Sequence, residues 1–146
     1  MEIKVNMDTH GLEQAFAKKG AAINGKIDQL TSQIVDVLQL WITDSAPRGK
    51  TGRLKASVQK QKFGSRGLVF VSKAIAPYAF YVLEGTKPHK IVAKHKGALR
   101  VPGFGVFKSV QHPGTKANPF VDKGATKAQG EIQQKINAFE KWLTEV

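Results

Sequence analysis

The chain has 146 residues, 41% of them hydrophobic, no cysteine and a formal net charge of +12. This length fits a single domain over 1–146 with a sizeable core. The composition excludes a disordered chain, a disulfide scaffold and a thiolate metal site. The charge is unevenly placed: residues 45–121 hold fifteen Lys and Arg against the single acid Glu84, while residues 1–44 hold four Lys and six acids and residues 122–146 hold four of each. Such a mid-chain field attracts polyanions or an acidic partner; the alternative is a soluble basic surface with no dedicated partner.

In chain order, Met1-Glu2-Ile3-Lys4 lacks the apolar core of a signal peptide. Ile3 and Val5 alternate with polar neighbours and predict a short strand. Leu12 to Ile42 reads as a long helix, with Thr9 or Asp8 available to cap its start. Phe16, Ile23, Ile27, Leu30, Ile34, Val37 and Trp41 form one apolar stripe along it, interrupted by Gly20 and Gly25, where a bend is expected. Packing on the chain's own sheet is favoured over a coiled coil, because the stripe is so short.

Pro47 ends that helix and opens a loop carrying Arg48, Lys50 and Arg53. Gly49-Lys50-Thr51 prompts the thought of a phosphate-binding loop. Position 44, where that motif needs a glycine, is Asp44, and no strand precedes the loop. Leu54–Lys62 and Leu68–Ser72 read as two strands of a hairpin turned at Gly64–Gly67, the second apolar on both faces and therefore central.

Ala74 to Leu83, the longest apolar run, is ten residues with a proline inside, against the roughly 20 a membrane span requires. Within it, Pro77 to Glu84 predicts a short helix, with Pro77 at its first position and Gly85 as C-terminal cap; a strand is the competitor. Glu84 is expected in a structural ion pair, with Arg53 as one candidate partner, rather than as a general base. Ile91-Val92, Ala98–Val101 and Val106–Val110 read as strands, yet residues 88–105 are basic, glycine-containing and poorly periodic, which predicts a mobile loop or arm. His89, His95 and His112 match no zinc signature, and His112 before Pro113-Gly114 is explained by a turn. No metal or cofactor is expected. Asn118 and Pro119 then start a last helix with a stripe of Val121, Ala125, Ala128, Ile132, Ile136, Phe139 and Leu143. The fold class is α+β: a long N-terminal helix, a small mostly antiparallel sheet with a short inserted helix, and a C-terminal helix packing on the sheet or the first helix.

Three stretches occur in a suggestive order: Ala46-Pro47 with Thr51-Gly52-Arg53-Leu54 and Ser57-Val58; Pro77-Tyr78-Ala79-Phe80-Tyr81-Val82-Leu83-Glu84-Gly85-Thr86; and His112-Pro113-Gly114-Thr115 with Pro119-Phe120. From Ala46 onward this resembles the tail-component family of long-tailed bacteriophages, whose members sit at the head–tail neck as tail-completion or joining proteins. Leu83 stands where that family usually has an aromatic, and Val101–Lys108 is shorter than usual. The resemblance marks Pro77, Tyr78, Tyr81, Glu84, Gly85, Thr86, His112, Pro113, Gly114, Thr115, Pro119 and Phe120 as motif positions. It implies a virion protein assembled in the bacterial cytoplasm, a homo-oligomeric and expectedly hexameric ring, neighbouring connector and tail proteins as partners, and genomic DNA in the channel.

On that reading Arg48, Lys50, Arg53, Lys87, Lys90, Lys94, Lys96 and Arg100 are candidates to face the channel or a partner. A tail terminator is the near alternative. A sequence-independent nucleic-acid-binding module, with Phe70, Tyr78 and Tyr81 stacking on bases, is the alternative of another class. An enzyme is not expected: a metal nuclease needs clustered carboxylates, and the basic mid-chain has only Glu84.

Overall fold

The computed structural model describes residues 2–5, 20–94 and 97–145. Its elements are β1 (Glu2–Val5), α1 (Ala21–Ser45), α2 (Arg53–Ala56), β2 (Val58–Phe63), β3 (Arg66–Val71), α3 (Ala79–Glu84), β4 (His89–Val92), β5 (Leu99–Val101), β6 (Gly105–Phe107), β7 (Ser109–His112) and α4 (Phe120–Glu145). The chain is α+β and forms two compact units: Met1–Ala79 with Phe120–Val146, and Phe80–Pro119.

In the first unit α1 packs against both a three-stranded antiparallel sheet, ordered β1-β3-β2, and α4. The apolar stripe explains this. Ile23, Ile27, Leu30, Ile34 and Val37 are all buried, each contributing about 2 kcal/mol through lost apolar surface. Val35, Leu38 and Ile42 are buried too, so the apolar face is wider than the heptad stripe, as two packing partners require. Gly20, at φ 58, precedes the first residue of α1, so this glycine stands at a helix start; Leu12 to Lys19 and the caps at Asp8 or Thr9 lie outside the described residues. At the other end Ala46 turns extended (ψ 133) before Pro47.

β3 is the central strand, as its two apolar faces predict. Gly67 on it lies against Val35 of α1, where a Cβ would collide with that side chain. On the edge strand β2, Lys60 and Lys62 reach back to Asp36 and Asp28 of α1; these exposed pairs are worth about 0–1 kcal/mol each, and the lysines also discourage edge-to-edge pairing. The expected strand over Leu54–Lys62 needs correction at its start. Gly52 adopts a left-handed conformation (φ 65) and begins the helical turn α2, so the strand begins only at Val58.

α4 follows Pro119 directly and packs along α1. Phe120, Val121, Gly124, Ala128, Phe139 and Leu143 are buried, while Ile132 and Ile136 are half-buried. The helices come closest at Gly124, where a Cβ would sit 2.7 Å from the backbone nitrogen of Ile42 and nearer still to its Cα. Polar contacts flank this crossing: Trp41 Nε1 donates to Glu131 Oε2 at 3.1 Å, and Lys127 lies 3.7 Å from Asp44.

Candidate interaction surface

The second unit, Phe80–Pro119, holds most of the motif residues and is built around a two-stranded ribbon. Its root is a clasp between two Gly-Thr dipeptides. Thr86 and Thr115 exchange backbone hydrogen bonds, 2.9 Å from Thr86 N to Thr115 O and 3.0 Å in return, and their hydroxyls lie 3.0 Å apart. The adjoining glycines are required twice over. Gly85 has φ 73 and Gly114 φ 86, the region where a side chain is strained. Each also lies against the opposite segment of the clasp: a Cβ on Gly85 would come 2.5 Å from Thr115 O, and one on Gly114 would collide with Thr86 O. Asn118 N donates to Val82 O at 2.9 Å, tying the segment before α4 to α3.

Beyond the clasp His89 pairs with His112, their rings stacked with centroids 5.0 Å apart. Gly114 N donates to His112 Nδ1 at 3.0 Å, so that ring nitrogen is an acceptor closing the Pro113-Gly114 turn. The ladder runs on through Lys90–Gln111, Ile91–Val110 and Val92–Ser109, then by Ala93 N to Lys108 O at 3.0 Å. After residues 94–98 the outer hairpin pairs Leu99 with Phe107 and Val101 with Gly105, and Phe104 N donates to Val101 O across its turn. Within 88–105, expected as a mobile loop or arm, residues 89–92, 99–101 and 105 are thus paired in ribbon strands. The single strand expected over Val106–Val110 divides at Lys108, because its two halves pair with different strands.

The ribbon is exposed on both faces. Every residue of β4 and β6 is exposed, with Val92 at 60%, Val106 at 62% and Phe104 at the tip at 79%. An isolated two-stranded ribbon is marginally stable in water, and exposed apolar side chains in this setting make it a candidate interaction surface. Phe80 and Tyr81 of α3 are likewise about 60% exposed.

Lys87, Lys90, Lys94, Arg100, Lys108 and Lys116 are all exposed in this unit, and none forms an ion pair among the described residues. Lys108 and Lys116 are not among the contact candidates named from sequence, nor are the apolar residues Ile91, Val92, Phe104, Val106 and Phe107. The signal was available in the apolar residues either side of Pro102-Gly103-Phe104-Gly105, Leu99 and Val101 before it and Val106 and Phe107 after it. Lys96 and His95 lie outside the described residues. Arg48, Lys50 and Arg53 are exposed in the segment between α1 and β2, in the first unit.

Glu84 is exposed at the end of α3 and forms no salt bridge among the described residues, so the expected structural ion pair is not made. Pro77 and Tyr78 are exposed, Pro119 is exposed and Phe120 is fully buried. Among the described residues no group of three or more His, Cys, Asp or Glu is placed to hold a metal ion, and no helix is long and apolar enough to cross a membrane.

Comparison with known proteins finds no family model that matches the chain, no similar curated protein and no similar solved structure.

Proposed function

We propose that this chain is a structural subunit of a bacteriophage head–tail neck, one of a ring of copies that completes the tail and joins it to the DNA-filled head. The observation that carries the reading is the clasp. Two stretches of the family-like pattern, one ending in Gly85-Thr86 and one beginning at His112-Pro113-Gly114-Thr115, are far apart in sequence yet bond to each other at the root of the ribbon. Gly85, Thr86, Gly114 and Thr115 therefore share one structural role, which is to bond the two ends of the exposed ribbon to each other.

In this reading the helical unit is the body of the subunit. The arm is its contact surface, and its exposed apolar side chains and uncompensated cations suit an acidic neighbour or DNA in the channel. Loose lysine contacts tolerate passing DNA of any sequence. The ring is hexameric, matching a six-fold tail, and carries no catalytic role. It is assembled in the host cytoplasm and retained in the virion. Gold-labelled antibody against the chain, applied to intact virions, should decorate the junction of head and tail; label at the distal tail tip or on the capsid shell would refute the reading. A tail terminator would also label near the junction, and is distinguished by tail length when the gene is removed.

A further inference from the structure

We infer that the β4–β7 ribbon and its β5–β6 tip form an arm that lies in a groove of duplex DNA, with Phe104 as an apolar wedge at its end. Three observations converge. A two-stranded antiparallel ribbon is one of the few elements of the right width to enter a DNA groove. The arm's segment carries only one carboxylate, Glu84, and Lys90, Arg100 and Lys108 are distributed along both strands of the ribbon, exposed and unpaired among the described residues. The outer turn is Pro102-Gly103-Phe104-Gly105, and Phe104 is 79% exposed. Apolar side chains at such a tip are the kind that enter a base step and partly unstack it.

The local charge favours a polyanion over a second copy of this arm as occupant, since residues 89–112 carry Lys90, Arg100 and Lys108 and no acid. Exposed Val92 and Val106, beside Lys90 and Arg100 along the strands, then meet the deoxyribose walls while the cations meet phosphates. The inference deepens the neck reading by naming the element that touches DNA. A single arm supplies only the weak, sequence-independent contact a translocating duplex requires; a ring multiplies it.

The test uses the full-length chain with a fluorescein-labelled 30-base-pair duplex of arbitrary sequence, followed by anisotropy from 50 to 200 mM NaCl. Wild type should bind in the micromolar range. Replacing Lys90, Arg100 and Lys108 together by Gln should lower the slope of log K against log salt by roughly 2.7, at ~0.9 per phosphate contact. With 2-aminopurine in the duplex, wild type should raise the fluorescence through unstacking, and Phe104→Ala should abolish that rise while leaving the salt slope unchanged. These four residues are exposed, so circular dichroism of each variant should match wild type. An unchanged slope in the triple variant would overturn the inference and leave the ribbon as a protein-docking surface; absence of binding by wild type, or a fluorescence rise indifferent to Phe104, would also overturn it. None of these results bears on where the chain sits in the virion, which the antibody labelling decides separately. Sub-micromolar binding by a proven monomer would instead favour a free nucleic-acid-binding module over the neck subunit, and would contradict the weak contact inferred for one arm.

Discussion

Gly124 sets the distance between the two long helices, and replacing it by alanine tests the packing account directly. An added Cβ would sit 2.7 Å from the backbone nitrogen of Ile42 and closer to its Cα. Both are backbone atoms, so the clash is relieved only by moving α4 away from α1. Alanine is intrinsically the better helix former by about 1 kcal/mol. Against that, opening the contact by roughly 0.5–1 Å forfeits a quarter to a half of the dispersion attraction of every atom pair across it.

Buried Val121 and Ala128 flank the site on α4, and overpacking of this kind costs about 1–3 kcal/mol beyond the helix gain, giving a net loss of about 2 kcal/mol. Gly130, on the same helix, has nothing within 4 Å of where its Cβ would be, so Gly130→Ala should gain about 1 kcal/mol. The same chemical change on one helix should therefore have opposite signs. The two variants should differ by about 3 kcal/mol, or roughly 9 °C in melting temperature. Urea and thermal unfolding followed by circular dichroism measure both. Gly124→Ala melting at or above wild type would refute the close helix contact.

Gly85→Val should destabilise the second unit by more than ~2 kcal/mol, because valine is strained at φ 73 and its Cβ meets Thr115 O; limited proteolysis should then cut within Phe80–Pro119, and an unchanged digest would show that the clasp is misassigned. Trp41→Phe removes the indole donor to Glu131 and should cost about 1 kcal/mol in urea unfolding, whereas no measurable change would mean that water replaces the bond. Glu84→Gln should leave stability within about 0.5 kcal/mol of wild type, since Glu84 is exposed with no salt bridge among the described residues; a loss above 1 kcal/mol would restore the structural ion pair.

The helices are legible in the sequence because burial imposes a period on them. Ile23, Ile27, Leu30, Ile34 and Val37 follow one face, and that face is buried. The start of the first hairpin is ambiguous for a specific reason. Leu54 and Val58 are four apart, a spacing that fits alternation on a strand and one face of a helix equally well, and the left-handed Gly52 decides for a helical turn. The ribbon is half legible. Its strands show as short Val, Ile and Phe runs, but a ribbon exposed on both faces has no buried side to impose strict alternation, so it reads as loop. Its pairing is set by the clasp, a contact between Thr86 and Thr115 that no local pattern encodes. The repeated Gly-Thr dipeptide is its only trace in the sequence, and its meaning shows only when the two copies are seen bonded together. The charge asymmetry is legible in full, whereas its division between the arm and the segment before β2 follows from the fold.

The neck assignment is best tested in the virus itself, by electron microscopy of lysates from a phage that encodes this chain after deletion of its gene. Filled heads beside separate tails of normal length are expected. Tails of uncontrolled length would make the chain a terminator, and intact infectious particles would contradict the neck assignment outright.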